Sequence, residues 1–126
     1  MNTLFIFSMV VEAIFGIGFI VAPSLLLGPM GVTLNEAATT FARLFGSAMI
    51  SFPVLLFFAR KSDKAEFRKG VVISMFIYYI ASTIILLITQ LNGQMNAMGW
   101  SVVGLHLLFT LWFGYFLVSR QLSSVG

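Results

Sequence analysis

The stretch NEAATTFARLFGSAMISFPVLLFFAR, residues 35–60, has the length and greasiness of a membrane span, yet carries an arginine inside it at position 43. Roughly 20 apolar residues, rising 1.5 Å each, cross the ~30 Å hydrocarbon core of a bilayer. Three further runs meet the same requirement. The chain therefore reads as all-α, a four-transmembrane-helix bundle with helices at about 3–22, 37–59, 70–91 and 97–119, all within one integral membrane domain, 1–126.

Composition supports that reading independently. Of 126 residues, 60% are hydrophobic and only 9% are charged, against roughly 25% charged in ordinary soluble domains. So much apolar surface needs lipid as its solvent. The net charge of +3 is small, and it predicts no nucleic-acid partner. With no cysteine, disulfides, thiolate metal sites and Cys-x-x-Cys redox chemistry are excluded together. The N-terminal run MNTLFIFSMVVEAIFGIGFIVAPS has no basic leader and carries Glu12 in its apolar stretch. It is expected to remain as a transmembrane helix rather than act as a signal peptide.

Punctuation between the spans is clear. Pro23 ends the first span, because its ring cannot continue a helix and it restricts Ala22. The segment PSLLLGPMGVTLNE, broken by Pro23, Gly28, Pro29 and Gly31, is too short to cross and is expected along the interface or dipping back in. Thr33 or Asn35 can cap the second helix, and Pro53 with Ser51 predicts a kink within it. RKSDKAEFRK joins spans two and three, and QLNGQMN joins three and four. Arg60, Lys61, Lys64, Arg68 and Lys69 fall in the first of these joints and Arg120 follows span four, whereas the two opposite connections have no Lys or Arg. The positive-inside rule then predicts that both termini are cytoplasmic.

With direction assigned, depths can be compared. At 1.5 Å per residue, Glu12 lies ~15 Å, Arg43 ~9 Å and His106 ~12 Å below the outer boundary. An isolated charge at the centre of a bilayer costs at least ~2.5–3.5 kcal/mol, and pairing Glu12 with Arg43 would relieve both groups. Four polar stripes at helical spacing are expected to face inward: Ser8, Glu12 and Gly16; Glu36, Thr40, Arg43, Ser47 and Ser51; Ser74, Tyr78 and Ser82; His106, Thr110 and Gly114. Plainer readings stand beside this one. Arg43 can snorkel to the headgroups on its long stem, His106 can be a neutral packing residue, and Tyr78, Tyr79, Trp100 and Trp112 suit interfacial anchors or packing, Trp100 near the outer edge most of all. The convergence of Glu12, Arg43 and His106 at one level is what those plainer readings do not explain.

Two resemblances bear on function. The glutamate of MVVEAIFG, the length and the four-span layout resemble the small multidrug resistance family, which implies a proton- or cation-binding Glu12. That family's tryptophan-centred motif in span three is absent here, and Arg43 would repel cations. Across about 100 residues, IFGIGFIVAPSLLLGPMGV, FARLFGSAMI and NAMGWSVVGLHLLFTLWFGYF resemble uncharacterised bacterial four-helix membrane proteins of DoxX-like layout. Their Pro-broken segment after helix one and ARxxG opening of helix two correspond to Ala42, Arg43 and Gly46. That resemblance implies a fold and no activity.

The expectation is a non-enzymatic binding or accessory protein, with a pocket in the outer half of the bilayer lined by Glu12, Arg43, Tyr78 and His106. Arg43 would attract a polar or anionic head, Glu12 would hold Arg43, and His106 would hydrogen-bond or titrate. No cofactor or metal is expected, since a lone histidine offers one ligand and no porphyrin pattern accompanies it. Membrane lipids, an amphipathic small molecule, a second copy of the chain or a larger membrane complex are the partners this composition allows. The alternative is a proton-coupled exporter driven by Glu12.

Overall fold

The computed structural model describes residues 1–119, and these are helical nearly throughout. Helix α1 spans Asn2–Val21, α2 Pro23–Leu27, α3 Glu36–Met49, α4 Ser51–Lys61, α5 Ala65–Leu91 and α6 Gly99–Val118, with a short 3-10 turn at Gly28–Met30 after α2. Four helical segments are long and apolar enough to cross a membrane: α1, the α3–α4 pair across Glu36–Lys61, α5 and α6.

Local chemistry accounts for the boundaries. Ala22 leaves the helical region (φ −147°, ψ 64°) immediately before Pro23, whose ring disfavours helical angles in its predecessor. Asn35 caps α3 by accepting from the Ala38 amide at 2.8 Å. Span two is broken at Ile50. Pro53 lacks the N–H that would reach the Met49 carbonyl, and its ring crowds that oxygen. The disturbance expected from Pro53 falls at a single residue, Ile50, which keeps helical angles (φ −62°, ψ −23°) while Ser51 Oγ donates to the Ala48 carbonyl at 2.6 Å.

One expected boundary is corrected. RKSDKAEFRK is not a ten-residue connection between spans two and three, because only Ser62–Lys64 is non-helical: Arg60 and Lys61 close α4, and Ala65–Lys69 opens α5. Four of the five basic residues therefore project from two helix ends, with Lys64 in the link between them, and Arg68 Nη2 reaches Asn2 Oδ1 at 3.4 Å. Arg120 lies outside the described residues.

Packing differs between the two ends of the bundle. At the basic end, Leu4 and Phe5 of α1, Leu56 and Ala59 of α4, Val72 and Met75 of α5, and Phe113 of α6 form a closed core. Phe5 stacks on Phe113, and Tyr79 stacks on Phe109 with ring centroids 4.8 Å apart. Towards the opposite end α1 packs on α3 and α5 packs on α6, while α3 makes no extensive contact with α5 or α6. The α1–α3 approach is close because Gly16 faces Gly46: a Cβ on Gly46 would sit 2.7 Å from the Gly16 carbonyl oxygen.

That opposite end is capped. The Asn96 side chain donates to the Pro29 carbonyl and its amide donates to the Met30 carbonyl, both at 2.8 Å. Gln90 in turn donates to the Asn96 carbonyl at 3.1 Å. These bonds tie the Pro- and Gly-broken segment after α1 to the α5–α6 turn, so it caps this end of the bundle.

Candidate functional site

Between the α1–α3 pair and the α5–α6 pair lies a cavity of about 300 Å³. It extends from the middle of the bundle to the cap, where Leu26, Leu27, Met30 and Met95 close it. Its polar groups cluster at the inner limit, on Glu12, Tyr78, Tyr79, Ser82 and His106.

Glu12 is 1% exposed. Its Oε1 accepts from the Tyr79 hydroxyl at 2.5 Å, and the same phenol oxygen lies 2.8 Å from Ser8 Oγ. Tyr79 has one proton and spends it on Glu12, so Ser8 is the donor to Tyr79. Both donors thus point along one line towards the carboxyl group. The other oxygen, Glu12 Oε2, is buried without a hydrogen-bond partner, as is the hydroxyl of Tyr78. A buried polar atom without a partner is costly, and two at one cavity floor mark it as the chemically distinctive place in the bundle.

His106 Nδ1 lies 2.9 Å from the Val102 carbonyl. A carbonyl can only accept, so Nδ1 carries the proton and the neutral ring presents Nε2 as an acceptor. The ring meets Tyr79 edge-on at 5.8 Å and Tyr78 at 6.3 Å. One turn further along α6, Thr110 hydrogen-bonds Thr83 of α5 at 3.1 Å, which fixes the rotation of α6. No cluster of His, Asp and Glu suited to a metal occurs among the described residues.

Three of the four residues expected from the sequence are together at this cavity: Glu12, Tyr78 and His106. Arg43 is not among them. It is exposed on α3, and Glu12 takes Tyr79 rather than Arg43 as its partner. The reason is helix rotation. Phe45, 200° round the helix from Arg43, faces the cavity, and Gly46 faces α1. The whole stripe of Glu36, Thr40, Arg43, Ser47 and Ser51 is exposed, not inward. Its hydroxyls are satisfied within their own helix, as in Thr40 to the Glu36 carbonyl at 3.0 Å and Ser47 to the Leu44 carbonyl at 2.9 Å. Ser74, expected inward on span three, is also exposed.

Tyr79 is the site residue that sequence reasoning weighs only as packing or an interfacial anchor. Its neighbour Tyr78 continued the Ser74–Ser82 stripe, whereas Tyr79 sits seven residues after Val72 and four after Met75, on the apolar side that proves to be the core.

No curated protein and no solved structure matches this chain. A family profile described as a domain of unknown function matches residues 6–124. By that match, which covers nearly the whole length and every residue of the cavity, the chain belongs to the DUF8292 family.

Proposed function

We propose that this chain is a multi-pass inner-membrane protein, with both termini cytoplasmic, that binds an amphipathic small molecule or lipid in its cavity without carrying out a reaction on it. The orientation rests on Arg60, Lys61, Lys64, Arg68 and Lys69 standing at one end, while the connections at the other end have no Lys or Arg. The cavity then lies in the outer half of the bilayer.

The observation that carries the binding reading is an apolar cavity ending on the nearly inaccessible Glu12, whose Oε2 lacks a partner. Mostly apolar concavities with a few convergent polar groups are the usual form of small-molecule sites, and about 300 Å³ is at the small end of their range. The walls hold the guest's hydrocarbon and the floor addresses its polar group. Native mass spectrometry of the protein extracted in mild detergent tests this. A small molecule retained by the native chain and lost in His106→Phe is expected, and a native chain that retains nothing would sink the reading.

A second reading is favoured by the same free carboxyl oxygen. Glu12 can exchange a proton for a guest, which would make the protein a proton-coupled exporter. Proteoliposomes with an imposed pH difference separate the two. Guest movement that follows the pH difference and vanishes in Glu12→Gln supports export, whereas guest retention indifferent to the pH difference supports binding alone.

A further inference from the structure

The polarity of the cavity runs against that of a membrane leaflet. A phospholipid keeps its charged head at the surface and its chains inside. Here the polar side chains stand near the middle of their helices: Glu12 is the eleventh residue of α1, and His106 the eighth of α6. Phe19, Leu26, Leu27, Met30, Met95 and Val102, towards the capped end, are all apolar. A guest filling this space has its hydrogen-bonding group at mid-bundle and hydrocarbon towards the surface.

Charge narrows the guest further. Among the described residues no Lys or Arg lines the cavity, and Arg43 stands on the other flank of α3. An anionic head brought to this depth would lose its hydration and meet Glu12. What the floor offers is hydrogen-bonding capacity. His106 Nε2 accepts, the Tyr78 hydroxyl donates or accepts, and Glu12 Oε2 has a place left over. The last two are buried, so a guest bonds them only once a side chain at the floor moves, whereas the His106 ring is only half-buried.

Entry is also legible. Of the nineteen residues lining the cavity, only Phe45 on α3 and Ile85 on α5 are exposed, at 43% and 64%. They belong to the two helices that fail to pack on each other. The cap closes the end and the aromatic core closes the floor, so the gap between α3 and α5 is the mouth, and it faces the side of the bundle.

Resting on the binding reading above, we infer that the guest is an uncharged, largely hydrocarbon molecule bearing a hydroxyl group, taken laterally from the bilayer between α3 and α5. Its hydroxyl donates to His106 Nε2 or Glu12 Oε2 and accepts from Tyr78. Hydrocarbon contact discriminates little, because lipid tails are as apolar as the walls. Selectivity therefore comes from hydrogen bonds in a low-dielectric site.

The test uses the full chain in phosphatidylcholine nanodiscs and four probes sharing one tail: decane, 1-decanol, decyl phosphate and decylammonium. Native mass spectrometry reads occupancy. 1-Decanol is expected to be retained above the other three, with about tenfold weaker retention in Tyr78→Phe and in His106→Phe. Preferential retention of decyl phosphate or decylammonium overturns the inference and leaves the binding reading standing with a charged guest. Retention of none overturns both. Because the chain has no cysteine, a Phe45→Cys, Ile85→Cys double variant allows the mouth to be bridged with a bis-maleimide. Bridging before 1-decanol is added should block uptake, and uptake unchanged by bridging overturns the lateral route.

Discussion

The hydroxyl of Tyr79 on α5 donates to the carboxyl group of Glu12 on α1 at 2.5 Å, across the centre of a bundle in which those two helices do not otherwise pack extensively. The bond links the helix pair on one side of the cavity to the pair on the other. Its neighbour Tyr78 has a buried hydroxyl with no close hydrogen-bond partner among the described residues, Ser82 offering at most a loose one.

Adjacent tyrosines should therefore respond in opposite senses to loss of one oxygen. Tyr79→Phe leaves Glu12 Oε1 and Ser8 Oγ without their partner and should cost about 1–3 kcal/mol. Tyr78→Phe removes an unsatisfied buried hydroxyl and should be neutral or slightly stabilising. Thermal unfolding of the two variants in the same detergent compares them directly, and equal losses would contradict this account of the network.

The crossing of α1 and α3 should resist even a methyl group. In Gly46→Ala the new Cβ meets the Gly16 oxygen and the Phe19 Cβ, each at 2.7 Å, and neither belongs to a flexible side-chain tip. Overpacking of this kind costs about 1–3 kcal/mol. At Gly104, on α6, an added methyl group would have nothing within 4 Å of it, so Gly104→Ala should instead gain roughly 0.5–1 kcal/mol from reduced backbone entropy loss. Melting temperatures of the pair should move in opposite directions.

Asn96→Ala should loosen the cap without unfolding the bundle. It removes the 2.8 Å side-chain bond to the Pro29 carbonyl and the 2.9 Å bond that Asn96 Oδ1 accepts from the Met98 amide, and keeps the backbone bond to Met30. The cost is about 1 kcal/mol. Hydrogen exchange should accelerate in residues 23–33 while the amides of Leu4, Phe5 and Val72 hardly change. Faster exchange at the basic end would show that the cap is not a separate unit.

Arg43→Leu should leave the cavity's binding behaviour unchanged. Arg43 is exposed on the flank of α3 turned away from the cavity, and Glu12 is held by Tyr79. Retention of whichever guest the native protein holds, read by native mass spectrometry, checks this. A several-fold loss would restore a role for Arg43 in the site.

These contrasts also mark where sequence reasoning stops. Span number and position follow from hydropathy, because lipid imposes a length and a composition on any helix that crosses it. The caps at Ala22–Pro23 and Asn35 follow from local sterics and hydrogen bonding. Glu12 and His106 are visible as polar groups at a shared depth, since depth is a linear coordinate along a helix. Rotation is not. Arg43 and Phe45 differ by two positions and face nearly opposite ways, and only packing of Gly46 on Gly16 decides which looks inward. Tyr78 and Tyr79 pose the same problem 100° apart. The cavity itself is a gap between helices, so no residue pattern encodes its volume.

The interruption at Ile50 divides span two into parts of unequal stiffness. α4 is wedged between α1 and α5 in the closed core, whereas α3 rests on α1 and α2 and leaves its cavity side unsupported. A sideways push on α3 bends the span at that joint and works against its packing on α1, at the glycine crossing and at the Phe19–Phe45 ring pair. Widening the passage is thus a hinge motion of a fourteen-residue lever, with the basic end of the bundle serving as its fixed footing.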